Sequence, residues 1–179
     1  VGLFLVSLGY GGLTSFIALY TESRGVSPRG LFFVAFAGTI FGLRPFVGRW
    51  IDRVGAFTAL RPSIVAVAAA LSLMPLAGTR VAIAGCAVLY GLGFAAIGPA
   101  FTTCVIGRVA ADRRGAAFGA NIAAFDTGIG SGSILFGPVI AHVGYAPAFA
   151  LAAVAAVAAW PYFGWARRRF EAETARLDE

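Results

Sequence analysis

Six apolar stretches, each about as long as a bilayer is thick, decide what this chain can fold into. A spanning helix needs about 20 mainly apolar residues, and runs of that kind occupy roughly 3–20, 30–51, 57–77, 81–106, 115–141 and 145–166. Short polar connectors separate them: TESRGVSPR (21–29), DRVGA (52–56), AGTR (77–80), RVAADRR (108–114) and HVG (142–144). Strands of a membrane barrel would be about 10 residues long with alternating polarity, and nothing here alternates. The pattern predicts an all-α membrane protein, a bundle of six transmembrane helices over 1–166 with a charged, helix-compatible tail over 167–179. Composition closes off the soluble alternatives. The chain is 59% hydrophobic and 12% charged, against about 45–50% and 25% in a soluble domain. An ordinary soluble enzyme and a disordered chain are both excluded.

Charge placement sets an orientation. The 14 basic residues are all arginine, and they fall between apolar runs rather than in a stripe, so nucleic acid is not an expected partner. Eleven of them (44, 49, 53, 61, 108, 113, 114, 167, 168, 169, 176) fall on one side of the bundle, and Arg24, Arg29 and Arg80 on the other. Because cytoplasmic loops carry the excess of Lys and Arg, both ends of the chain are expected in the cytoplasm, in an inner, cell-bounding membrane. Val1 is not an initiator methionine, and Val1–Tyr20 lacks a basic n-region and a small-residue cleavage site. It reads as a spanning helix of a longer protein.

Several chemistries are missing. The single histidine, His142, sits in a short outer connector, so no imidazole metal cluster or catalytic triad can form within the chain. Without any lysine there is no Walker-type phosphate loop. Cys86 and Cys104 are 18 residues apart in one apolar stretch, about 27 Å on a helix and far beyond disulfide reach. No cofactor, no metal and no enzymatic activity are expected. The Arg167–Arg169 cluster reads as a stop-transfer anchor on anionic lipid.

The fifth stretch is the least suited to lipid. Seven glycines lie within 115–144, with Asn121 and Asp126. Its nine Leu, Ile, Val and Phe residues over 115–141 favour insertion by roughly 3–5 kcal/mol, which Asp126 offsets by roughly 3. Neighbouring helices, not lipid, must therefore hold it. At helical spacing Gly119, Ala123, Asp126, Gly130, Ser133 and Gly137 share one small or polar face, suited to close packing or to a water-filled cavity. Asp126 lies about 17 Å into its helix, where an ionisable group is a functional candidate; packing while neutral is the competing role. Its partner is either Arg44, the most deeply set arginine, or a group outside this chain.

Four segments carry a resemblance. Gly48-Arg-Trp-Ile-Asp52-Arg53-Val-Gly55-Ala-Phe resembles the G-x-x-x-D-R-x-G-R-R loop of the major facilitator superfamily, with Ala56 and Phe57 in place of the two final basic residues. RVAADRRGAAFG (108–119) and FDTGIGSGSILFGP (125–138) look like the start and body of that family's eleventh helix, and LYGLGFAAIGPA (89–100) like its tenth. Their order is similar to that of the C-terminal six-helix bundle of a twelve-helix transporter.

The loop also has a local reading. Gly48 and Gly55 permit tight turns, Asp52 is placed to cap a helix N-terminus, and Arg53 to pair with Asp52 or lipid phosphate. The resemblance implies a gating role for Gly48, Asp52, Arg53, Gly55, Arg113 and Arg114, closing against an N-terminal six-helix half. The place of Asp126 near the middle of a span makes it the candidate for proton coupling. The resemblance also implies a midplane substrate cavity, for which Tyr10, Thr14, Phe36, Thr39, Tyr90, Phe94 and Asn121 are the candidates; for the aromatics, bundle packing is the competing role. No basic residue is expected at the centre of a span. The implied activity is secondary transport, as an efflux permease exchanging a small amphipathic molecule for protons. The alternative is a self-contained six-helix membrane subunit with an assembly role.

Overall fold

The computed structural model describes the backbone of residues 1–177 apart from Arg108, and side chains as far as Pro161. Of the tail expected over 167–179, the backbone as far as Leu177 continues the last helix, while its side chains and the placement of Arg108 lie outside what is described. Among the described residues there is no strand. Six helices follow one another up and down: α1 (Gly2–Ser23), α2 (Leu31–Val54), α3 (Ala56–Leu73), α4 (Arg80–Ile106), α5 (Arg114–Val143) and α6 (Tyr145–Leu177). α1 to α5 are each long and apolar enough to cross a membrane, and α6 is apolar over Tyr145–Pro161.

Where these helices stop departs from the expected connectors. DRVGA was expected as a loop, yet Asp52 and Arg53 form the last turn of α2, and α3 begins at Ala56. The whole reversal falls on Gly55 at φ +84°, and α5 turns into α6 in the same way at Gly144, φ +88°. Gly48 makes no turn; it lies inside α2. The other links are longer. A 3₁₀ turn over Met74–Leu76 extends α3, and Thr79 caps α4 by accepting the Ala82 N–H at 3.2 Å. A second 3₁₀ turn over Ala111–Arg113 leads into α5.

Helices approach each other where one of them carries glycine, since without a hydrophobic drive in lipid the close fit of small residues does the packing. α1 lies along α5 and α6, α4 along α2 and α3, and α3 along α6. Gly128 and Gly132 of α5 admit Ser7 and Leu8 of α1, while Gly11 and Gly12 of α1 admit Ile129 and Phe136. Gly9 meets Ala152 of α6, Gly93 meets Ser63 and Val67 of α3, and Gly91 meets Thr39 of α2. Of the small and polar face expected on α5, for close packing or a water-filled cavity, part packs on α1: Ser133 meets Ser15 at 2.7 Å and Gly137 lies against the Phe16 ring. Gly119 and Gly130 border open space, and the seam runs through Gly128 and Gly132.

On the arginine-poor side, one phenol ties three helices. The Tyr20 hydroxyl donates to the Met74 carbonyl at 2.7 Å and reaches that of Ala77 at 3.2 Å. Arg24 donates to the Tyr20 oxygen and, at 2.7 Å, to the Pro75 carbonyl. Tyr145 and Phe149 of α6 meet the same ring edge-on.

Candidate functional site

α1 and α4 do not approach along their backbones as the other central pairs do. Aromatic side chains fill the space between them. Tyr10 of α1 stacks on Phe94 of α4 at 4.4 Å between centroids, and lies 6.0 Å from Phe36 of α2 and 6.4 Å from Tyr90 of α4. Phe36, Tyr90 and Phe94 are mutually 5.7 Å apart. All four aromatics singled out in the sequence thus converge, from three helices.

Two more rings belong to the cluster and were missed. Phe125 of α5 lies 6.2 Å from both Tyr10 and Phe94, and Phe32 of α2 lies 5.9 Å from Phe36. Helical spacing could have found them: Phe32 is four residues before Phe36, and Phe125 four after Asn121. Phe32, Phe36 and Tyr90 form a buried floor, whereas Tyr10, Phe94 and Phe125 are only half-buried.

The polar candidates lie around these rings. Thr14, one turn beyond Tyr10, returns its hydroxyl to the Tyr10 carbonyl at 2.9 Å. Thr39 bonds the Ala35 carbonyl at 2.8 Å, and its methyl end fills the notch at Gly91. Asn121 is half-buried one turn before Phe125.

Asp126 is exposed on α5, twelve residues from its Arg114 start, which is about 18 Å. Arg44 is exposed on α2, ten residues or about 15 Å from Val54. Arg44 therefore sits at the centre of its span and about as deep as Asp126, correcting the expectation that no basic residue would. No ion pair joins the two or involves either among the described residues. Among the described residues, α2 and α5 are also the helices with the fewest buried positions, four and three. Besides the two charges, α2 carries Gly38 and Gly42 and α5 carries Gly119 and Gly130, each with free space where a Cβ would be.

At the gating positions the expected cap is absent. The N-cap of α3 is Gly55 and makes no side-chain bond, so Asp52 caps nothing, and Arg53 forms no ion pair among the described residues. Arg113 and Asp112 are 3.9 Å apart and exposed, while Arg114 reaches the Val109 carbonyl at 3.5 Å. Asp52 and Arg53 stand at the arginine-rich end, the end to which Arg113 and Arg114 also belong.

Antiparallel helices of bilayer length, apolar toward the outside and joined by short polar turns, define a multi-pass integral membrane protein. Comparison with known proteins narrows this. The sequence pattern of the Major Facilitator Superfamily matches residues 1–178. An uncharacterized MFS-type transporter of Pseudomonas aeruginosa (strain LESB58) is 34% identical over 161 residues, covering 88% of this chain and 39% of that protein. One of Burkholderia mallei (strain SAVP1) is 35% identical over 159 residues, again 88% of this chain and 39% of the relative. The chain belongs to the Major Facilitator Superfamily, and it spans about two-fifths of the length of these relatives.

Proposed function

We propose that this chain is the C-terminal six-helix half of a secondary active transporter that exports a small amphipathic molecule across the inner membrane in exchange for protons. One observation carries the reading: two mid-span charges, Arg44 and Asp126, are exposed on faces of α2 and α5 that nothing among the described residues covers. A charge at the bilayer centre costs about 2.5–3.5 kcal/mol even on insertion scales, and small-residue faces in membranes are helix-packing faces. A second bundle of helices, facing α2 and α5, supplies both a cover and a partner for the charges. Both chain ends lie in the cytoplasm in this arrangement. Asp52 and Arg53 close the cytoplasmic side against that second bundle, with Arg113 and Arg114 beside them.

Asp126 then carries the proton. In this reading the Asp126 carboxyl takes up a proton on one side of the membrane and releases it on the other as the two bundles rock, in exchange for substrate. The test is transport by the full-length protein in vesicles, wild type beside Asp126→Asn. Asparagine imitates the neutral acid and cannot titrate. Efflux driven by a pH gradient should fall at least tenfold, while substrate exchange without a gradient continues. Unchanged pH-driven efflux, at equal protein level, would remove Asp126 from coupling.

A further inference from the structure

We infer that the six-ring cluster is the closed form of a binding site for a planar aromatic molecule bearing a hydrogen-bond acceptor, and that the Tyr90 hydroxyl is the group that reads that acceptor. This rests on the transport reading above and names the substrate class of its site.

The hydroxyl itself is the first observation. Other buried hydroxyls in the bundle are satisfied within it. Ser7, Thr21 and Ser63 each donate to a carbonyl of their own helix four residues back, at 2.7–2.8 Å, and Tyr20 donates to the Met74 carbonyl. The Tyr90 oxygen is fully buried and has no hydrogen-bond partner. A phenylalanine would fill the same hole without an unmet polar group, and an unmet polar group in apolar surroundings is unfavourable. The hydroxyl is therefore explained by something that bonds to it when the cluster opens.

The rings supply the shape. Tyr10, Tyr90 and Phe94 lie within 18–21° of parallel, a stack that accepts another flat ring at the usual 4.5–7 Å between centroids. Tyr10, Phe94 and Phe125 form its half-buried flank, so a guest enters by parting these three while the floor of Phe32, Phe36 and Tyr90 stays fixed. The cluster contains no charged group, so affinity has to come from ring faces and one directional bond.

The experiment uses the full-length transporter in nanodiscs, with tritiated 9-fluorenone as the probe and fluorene, the same plane without the carbonyl, as competitor. Wild type should bind fluorenone more tightly than fluorene. Tyr90→Phe should lose about three- to tenfold in fluorenone affinity, leave fluorene affinity unchanged, and match or exceed wild type in thermal stability without ligand. Phe94→Ala should weaken both probes alike. The inference is overturned if wild type does not bind fluorenone, if Tyr90→Phe keeps the wild-type ratio of the two affinities, or if Tyr90→Phe melts lower, which marks the hydroxyl as structural. Binding requires no gradient, so the outcomes separate. Vesicle transport with no fluorenone binding sinks only this inference, whereas binding without transport sinks the transport reading and keeps the site.

Discussion

Gly132 of α5 stands where a side chain has no room. A Cβ there would fall onto the Leu8 carbonyl and the Gly12 nitrogen of α1, both backbone atoms that cannot rotate away. Gly132→Ala must therefore push α1 and α5 apart, and overpacking of this kind costs about 1–3 kcal/mol. Gly85 of α4 is the control, because open space surrounds it and alanine is the better helix former there by roughly 0.5–1 kcal/mol. Thermal melts in mild detergent should show Gly132→Ala well below wild type and Gly85→Ala level with it or above. Equal melting of the two variants would mean the α1–α5 seam is loose. That α5 is a packing helix was legible in its glycine content. Which glycines meet a partner was not, because rotation about the helix axis is set by Gly11, Gly12 and Ser7 on α1, and periodicity within α5 holds no record of them. The aromatic candidates illustrate the complementary case. Tyr10, Phe36, Tyr90 and Phe94 were readable as large rings on apolar spanning helices, but an unpaired hydroxyl becomes visible only once its surroundings are in place.

At the scale of the helices, the bundle turns on single residues. Gly144 joins α5 to α6 at φ +88° and ψ −179°, and Gly55 joins α2 to α3 at φ +84° and ψ 144°. This backbone region is essentially reserved for glycine and strains any other residue by about 1–3 kcal/mol. The space around both is open, so the strain is conformational rather than steric. Gly144→Ala should lower the detergent melting temperature in line with that cost, although a methyl group there touches nothing. A wild-type melt would show that the α5–α6 turn relaxes freely. Sequence patterning located both turns but overestimated their length, since polar residues at the membrane surface are as compatible with a last helical turn as with a loop. Asp52 gains no dipole stabilisation by this. An acid in the last turn of α2 faces the negative end of that helix, so its favourable partner has to come from another element.

For the whole molecule, the two charges outweigh the small margin by which this bundle suits lipid on its own. Left facing hydrocarbon, Arg44 and Asp126 together cost about 5–7 kcal/mol, comparable to the entire stability of a typical domain. The flanking faces of α2 and α5 offer glycines and exposed apolar groups such as Phe41 at 70% and Ile134 at 75%, with nothing among the described residues to bury them. In lipid those faces gain only by close helix contact, so a lone copy has a strong reason to find another surface. The 179 residues expressed alone in mild detergent should therefore self-associate or precipitate, as read by light scattering after size exclusion. Co-expression with the upstream part of the same reading frame should convert them into a stable 1:1 complex. Asp126→Asn combined with Arg44→Gln should partly relieve the lone chain, because it removes the charges and leaves the small-residue faces. A monodisperse, thermally stable monomer of the lone wild-type chain would show that α2 and α5 need no cover, and the transport reading built on their open faces would lose its support.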